Sequence, residues 1–426
     1  MNPGNNEKVL SIILTLLPLL HTGATEENRL KLTIHEAERY LADHNLRLLA
    51  EHYAVDQAEA RVIQAKLFDN PVISFEQNVY NRINGRYFDF GKEGESAVEL
   101  EQLIYIAGQH NKRVKLEKIN HEMSAYQYEE VARSLRGELR QKFVELYFTR
   151  RSLTVYEDEI QAINDLLAIY KTQQEKGNIS LLEKARLEAL LLALRQEQGD
   201  LINQTTALSG ELRLLLGIND QTQVEPVIDE SALNRIDLSD ISFADLLARL
   251  PERPDLKIAQ SKRRASEADL KLQRALAFPE VSLKGSYDKA GNFINDYWAI
   301  GLSISLPIFN RNQGNIKAAK LAILQSGQQE AYEQQQAENE LYTCYARLDQ
   351  AIRLYRSTDL SLAGDFSKIL EGVNQSFRQR DISLLEFIDY YESYKTTCLR
   401  LNDLKREVLQ ALEEVNIAAG ENLFTY

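Results

Sequence analysis

The chain has 426 residues, 27% of them charged, a formal net charge of −13 and two cysteines. That balance does not gather the Lys and Arg clusters a phosphate-binding surface needs, so no nucleic acid is expected as a partner. Beyond residue 24 no run of about 18 apolar residues occurs, which excludes a membrane-spanning helix and leaves β-strands as the only route through a bilayer.

In chain order, Lys8 precedes an apolar run from Val9 to Leu20, followed by His21-Thr22-Gly23-Ala24 and the acidic Thr25-Glu26-Glu27. The run is too short to span a bilayer, and small residues precede the break, so residues 1–24 read as a signal peptide; a buried N-terminal helix is the alternative. Residues 25–217 form a first repeat, with strands over about 72–80 and 96–105 and long helices over about 109–177 and 180–216. A linker or equatorial segment, 218–242, leads to a second repeat, 243–420. Its strands are expected over about 281–287 and 297–306, and its long helices over about 313–379 and 383–418. Residues 421–426 are a C-terminal tail.

The duplication rests on ordered matches. Gly177-Asn178-Ile179-Ser180-Leu181-Leu182-Glu183 reappears as Arg380-Asp381-Ile382-Ser383-Leu384-Leu385-Glu386, and in each copy a glycine, Gly217 or Gly420, follows the serine by 37 residues. Asn45-Leu46, Ala58, Ala65 and Phe68 match Asp255-Leu256, Ala268, Ala275 and Phe278, and a proline follows each time, Pro71 and Pro279.

Within each copy the hydrophobic period switches. Helical stretches carry apolar residues three and four apart, as at Leu181, Ala185, Ala189 and Leu192. Strand stretches alternate: Trp298, Ile300, Leu302, Ile304 and Leu306 face away from Tyr297, Ala299, Gly301, Ser303 and Ser305. Val281, Leu283 and Tyr287 repeat the pattern, as do Val98, Leu100 and Ile104. Apolar-out, polar-in strands suit a membrane barrel, although half-buried sheets of soluble proteins alternate too. Aromatics gather at the strand ends: Tyr80 at one loop, and Tyr287, Tyr297 and the only tryptophan, Trp298, at the other. These four are expected at a membrane interface, in contact with lipid. Four strands cannot close a barrel, so such a chain has to oligomerise. The helical pattern after Gln109, interrupted only by Gly137, would extend on the order of 100 Å and needs partners packed along its sides.

The helix-opening Leu32-Thr33-Ile34-His35-Glu36-Ala37, the Arg253-Pro254-Asp255-Leu256 motif, the two prolines before strands and the two Ile-Ser-Leu-Leu-Glu segments together resemble the TolC-like outer-membrane efflux protein family. Ser305-Leu306-Pro307-Ile308-Phe309-Asn310-Arg311-Asn312-Gln313-Gly314-Asn315 is similar to the strand-to-helix junction of its heavy-metal pump subgroup, the CusC and CzcC type. The resemblance implies a mainly α fold with a membrane β-barrel contribution. Three protomers would give four strands each to one 12-stranded barrel over an α-helical periplasmic tunnel. It also implies a passive conduit in the cell outer membrane, a homotrimer working with a periplasmic adaptor protein and an inner-membrane transporter of the resistance-nodulation-division type. Heavy-metal cations are the implied substrate, with drugs or other small molecules as the alternative. A soluble periplasmic adaptor or a coiled-coil scaffold is the competing class.

The two Ile-Ser segments read as helix-turn-helix tips with Ser180 and Ser383 as N-caps. The resemblance makes Gly177, Asn178, Ile179, Ser180 and Leu181 one adaptor contact and Arg380, Asp381, Ile382, Ser383 and Leu384 the other. The family usually has glycine where this chain has Arg380. Glu386 and Asp389, three apart, share a helix face, and the resemblance places them in an acidic constriction at the periplasmic entrance. No catalytic residues are expected, because no nucleophile, base and orienting group occur together. No cofactor is expected either, and no metal site: the six histidines lie between His21 and His121, and His35, His44 and His52 sit on amphipathic helices without ligand spacing. Cys344 and Cys398 lie on separate helical stretches and read as buried free thiols, although an exported chain would permit a disulfide.

Overall fold

The computed structural model describes residues 29–175, 181–236, 238, 242–290, 294–359, 362–421 and 423, with side chains described outside 172–175 and 361–367. Residues 1–24, the expected signal peptide, lie outside the described residues. The element order is β1 (Arg29–Leu32), α1 (Ile34–His44), α2 (Leu46–Ala65), β2 (Val72–Gln77), β3 (Tyr80–Asn81), β4 (Arg86–Tyr87), β5 (Ser96–Ile104), α3 (Gln109–Glu175) and α4 (Leu181–Leu216). Then follow β6 (Gln223–Pro226), short 3-10 turns, α5 (Phe243–Arg249), α6 (Pro254–Ala275), β7 (Glu280–Ala290), β8 (Asn295–Ser305), α7 (Gln313–Ser357), α8 (Leu362–Gln379) and α9 (Leu384–Ala419).

Local chemistry sets most boundaries. α1 begins at a capping box: the Glu36 amide donates to Thr33 Oγ1 at 3.4 Å while Glu36 Oε2 accepts from the Thr33 amide at 2.8 Å. Asn45 both caps α2, accepting from the Leu48 amide at 2.9 Å, and donates to Leu215 O at 2.8 Å. α4 and α9 end at Gly217 and Gly420, both at positive φ (68° and 77°), with the next amide bonding back to Arg213 O and Asn416 O. This is why both copies keep a glycine at that register. A Cβ at Gly217 would lie 2.4 Å from His44 O. Gly137, inside α3, is needed for another reason: a Cβ there would meet Ile417 Cδ1 at 2.5 Å, so it sets how closely α3 approaches α9.

Two expectations are corrected. The strand read over 72–80 stops at Gln77, because Asn78 turns the chain: its side-chain oxygen accepts from the Tyr80 amide at 3.0 Å. Tyr80 then begins a separate two-residue hairpin strand paired with Arg86–Tyr87. The helix read over 313–379 is two helices. α7 ends where Ser357 and Thr358 turn their hydroxyls back onto Leu354 O, at 2.9 and 2.8 Å, competing with the helical amides.

Two hydrophobic clusters hold the helices. One gathers residues of α1, α3, α4, α7 and α9 with β1 and the 224–236 region, including Leu139, Phe143, Leu212, Leu341 and Leu412, all 0–1% exposed. Here the 218–242 segment is tied in by β6, which pairs parallel with β1. The other cluster, toward the far end of the helices, joins α3, α4, α8 and α9 through Ile163, Leu187, Leu194, Val373 and Phe387. No described helix is long and apolar enough to cross a membrane.

Candidate functional site

The four main strands form one antiparallel sheet in the order β2-β5-β7-β8, so among the described residues β2 and β8 are both open edges. Its register collects side chains into rows. Phe75, Val98, Tyr287 and Trp298 lie opposite one another across the sheet, as do Ile73, Leu100, Gly285 and Ile300. This face is solvent-exposed in a single chain, with Trp298 at 76% and Ile300 at 87%. Apolar side chains left in water at that density mark a surface that something apolar covers. The opposite face carries Glu99, Glu101 and Lys284, whose ammonium sits 2.8 Å from Glu99 Oε1 and 3.2 Å from Glu101 Oε2.

The four aromatics expected at a membrane interface lie on different faces and elements. Tyr287 and Trp298 pack with ring centroids 4.8 Å apart, and the Tyr287 hydroxyl donates to Asp296 Oδ1 at 2.7 Å. Tyr297 pairs with Asp288 on the polar face, and Tyr80 packs at a tilt against Tyr87 in the separate hairpin, 5.0 Å between centroids. The 81–95 loop is knit around Asp89. Its carboxylate accepts from Asn84, from Asn81 at 3.2 Å and from the Gly91 amide at 2.8 Å, contacts that hold it below the ordinary carboxylate range, Asn84 first.

At the far helix ends, Gly177, Asn178, Ile179 and Ser180 lie outside the described residues; Leu181 opens α4 and is 69% exposed. The second tip is fully described. α8 ends with Arg380 at φ 64°, its amide bonding to Phe377 O at 3.0 Å and the Asp381 amide to Ser376 O at 2.9 Å. That is the bonding of a Schellman turn, whose left-handed position glycine fills most easily. Ile382 packs against the second cluster and Leu384 is buried in it, while Arg380, Asp381 and Ser383 face solvent. Ser383 caps α9 in a capping box with Glu386, the counterpart of Thr33 and Glu36.

Glu386 and Asp389 are both exposed on α9, on either side of buried Phe387. Glu386 Oε2 accepts from the Ser383 amide at 2.7 Å and its hydroxyl at 2.8 Å. The amide, then the hydroxyl, holds its carboxyl below the usual range. The spacing of the two carboxylates did not reveal that one of them is engaged in its own helix start.

Among the described residues no group of three or more His, Cys, Asp and Glu could hold a metal ion. The described histidines serve locally: His52 lies 3.5 Å from Asp56, and His110 stacks on Phe68 at 4.5 Å. Cys344 and Cys398 are free, and burial pushes the Cys344 thiol up to about 11.

Several ionisable side chains are buried. Arg253, 4% exposed, donates to Ala418 O at 2.6 Å, to Asp255 at 2.7 and 3.1 Å and to Glu340 at 3.0 Å. Burial raises the Asp255 carboxyl, but its bond to Arg253 and the charges of Arg253 and Arg133 more than offset that and leave it lowered. Glu159 of α3, 2% exposed, is a buried carboxyl group.

The comparisons agree with this architecture. The family described as outer membrane efflux protein matches residues 38–218 and 248–421. The cation efflux system protein CusC of Escherichia coli K12 is 25% identical over 293 residues, 65% of this chain and 62% of that protein. The pyoverdine export outer membrane protein OpmQ of Pseudomonas putida is 23% identical over 252 residues, 58% of this chain and 48% of that protein. The matched part thus spans less than two thirds of either relative. The crystal structure of the Campylobacter jejuni CmeC outer membrane channel superposes with a TM-score of 0.75 at 16% identity, over 91% of this chain and 85% of that one. The duplicated helix-and-strand architecture and the family match over both copies show that this chain belongs to the outer membrane efflux protein family, whose members are outer-membrane channels rather than enzymes.

Proposed function

We propose that the chain is the outer-membrane channel component of a tripartite efflux pump, a passive conduit from the periplasm to the exterior. The observation that carries this is the sheet: four strands, an apolar exposed face and two unpaired edges. In lipid an open edge leaves backbone amides and carbonyls unsatisfied, so β8 of one copy has to meet β2 of the next. Three copies give a 12-stranded barrel, with Trp298, Ile300 and Leu302 toward lipid and the Lys284–Glu99–Glu101 cluster toward the lumen. The helices continue as a periplasmic tunnel whose tips, 177–181 and 380–384, meet an adaptor linked to a transporter of the resistance-nodulation-division type. Glu386 and Asp389 belong to an acidic constriction at its entrance.

Heavy-metal cations are the substrate this reading favours, on the 305–315 junction and the likeness to a cation efflux protein. The likeness to OpmQ favours export of an organic molecule as the second reading. Fractionation tests the channel: a heat-modifiable trimer in the outer membrane is expected, and a soluble periplasmic monomer would end the proposal. Deleting the gene then separates the substrates. Sensitivity to copper, silver, cobalt, zinc or cadmium supports the first, and sensitivity confined to a dye and detergent panel supports the second.

A further inference from the structure

From Tyr156 onward, α3 turns one seam toward its neighbours: Tyr156, Glu159, Ile163, Leu166 and Tyr170 follow one another at steps of three and four residues. Such a seam is apolar in a helix packed along its length. Four of these side chains are buried members of the second cluster. The fifth is a carboxylic acid, 2% exposed, and its Oε2 has no hydrogen-bond partner among the described residues. This burial is complete within one protomer, so it holds in any assembly.

The charged and titratable groups around it come from every helix in the layer. α9 supplies Lys395, 8% exposed, and Glu392; α4 supplies Glu197. The Lys395 ammonium is committed to Glu197 Oε2, at 3.2 Å, and to the Tyr156 ring, 5.6 Å from its centroid. Tyr391 of α9 donates to Asn374 Oδ1 of α8 at 3.0 Å, with Arg378 of α8 bearing on the same tyrosine. Tyr394 of α9 bears on Cys398, and Asp158 of α3 on both. Glu159 and Glu197 therefore share one lysine, and Glu159, the more buried of the two, has no direct bond to it among those described.

We propose that Glu159 is a proton-binding site that sets how tightly α3 packs against α4 and α9: protonated, it completes the apolar seam; ionised, it is a charge cut off from water among apolar side chains and loosens the bundle. Desolvation pushes its carboxyl up, Lys395 pulls it down, Glu392 and Glu197 push it further up, and the balance lies at about 7. The unfolded value is the ordinary one, 4.5. Between the two the folded chain binds the extra proton. Its stability therefore falls as pH rises through that window and levels off above about 7. The inference concerns one protomer's packing and stands apart from conduction; only its consequence, a bundle that loosens near the tunnel entrance at alkaline pH, rests on the proposed channel.

The test is hydrogen exchange of the full-length protein in detergent between pH 5.5 and 8.5, corrected for intrinsic rates. Amides of residues 152–166 should exchange roughly tenfold or more slowly at the acid end, because the packed bundle holds the Glu159 proton more tightly than the opened one by at least that factor. The midpoint should lie near 7. In Glu159→Gln the same amides should stay slow throughout. Pure pH-independence in the unsubstituted protein, or a midpoint near the ordinary carboxylate value, overturns the proposal, as does an undiminished pH response in Glu159→Gln. If that variant fails to fold, the midpoint in the unsubstituted protein still decides, and Glu159→Leu repeats the comparison with an apolar side chain. A trimer that conducts but shows no such midpoint leaves the channel reading intact and removes this one.

Discussion

The two copies end their last helix alike and hold that end differently. In both, a glycine at positive φ closes α4 or α9, and the carbonyl two residues earlier accepts a side chain from the start of the same copy. In the first copy the donor to Leu215 O is the neutral amide of Asn45, which also caps α2. In the second the donor to Ala418 O is the guanidinium of Arg253, tied to Asp255 and Glu340, while Arg133 of α3 donates to Ile417 O at 2.6 Å. Two cations at the C-terminus of α9 meet the negative end of its dipole, which a neutral amide does less strongly. Duplication thus fixed which carbonyl needs a donor and left open which side chain supplies it. The ionic solution ties α3, α6, α7 and α9 together at one point; the neutral one joins α4 to the junction of α1 and α2.

The comparison breaks first at those donors. Arg253→Ala leaves the partly buried carboxylate of Asp255 without its main partner and should cost about 3–4 kcal/mol. Asn45→Ala loses a cap and one buried hydrogen bond, about 1–2 kcal/mol. Denaturant unfolding of the two full-length variants measures the difference, and equal losses would mean that the second copy's ion network adds nothing to the amide's job. A pH series sharpens it. The lowered Asp255 carboxyl stabilises the fold above its unfolded value of 3.8, and that stability is lost as pH falls through the folded value. In Arg253→Ala this acid sensitivity should shrink.

The glycines give a smaller contrast. A Cβ at Gly217 would strike the His44 carbonyl, a backbone atom, at 2.4 Å, whereas one at Gly420 would touch Arg253 Cγ at 3.0 Å, a side chain that can move. Both substitutions strain a left-handed residue, so Gly217→Ala should cost about 2–3 kcal/mol and Gly420→Ala about 1–2. Thermal unfolding that ranks them the other way would show that Arg253 is held more rigidly than its length suggests.

Much of this was legible in the sequence because periodicity and end signals report local physics. Alternation from Trp298 to Leu306 exposes the apolar face of β8, and the serine-to-glycine spacing of 37 residues reports helix length in both copies. What escaped depends on contacts between distant segments. Nothing local to Arg253 announces the carbonyl of Ala418, 165 positions on. The turn at Asn78 and the break after Ser357 were signalled only by Asn, Ser and Thr inside otherwise regular patterns, where a side chain's competition with the backbone is decided by its surroundings. Glu159 did carry a signal, a carboxylate at a seam position between Tyr156 and Ile163, but the width of the buried seam is set by α4 and α9. Glu386 was read for its charge when its spacing from Ser383, matching Thr33 and Glu36, already spelled a capping box.

The smallest expected effect separates backbone from side chain at the second tip. Arg380 occupies the left-handed position of the Schellman turn at φ 64°, a conformation that costs a residue with a Cβ about 1 kcal/mol. Arg380→Gly removes that strain but adds freedom to the unfolded chain, so the net gain should be about 0.5 kcal/mol. Arg380→Val, β-branched, should lose more than about 1 kcal/mol. If Arg380→Gly destabilises instead, the guanidinium makes contacts worth more than the backbone strain. Because Arg380 faces solvent in one protomer, the informative outcome lies in the cell. A glycine variant that is as stable as the original yet fails to restore efflux would assign the side chain to the adaptor contact. Full complementation would leave Arg380 as a turn residue whose shape alone matters.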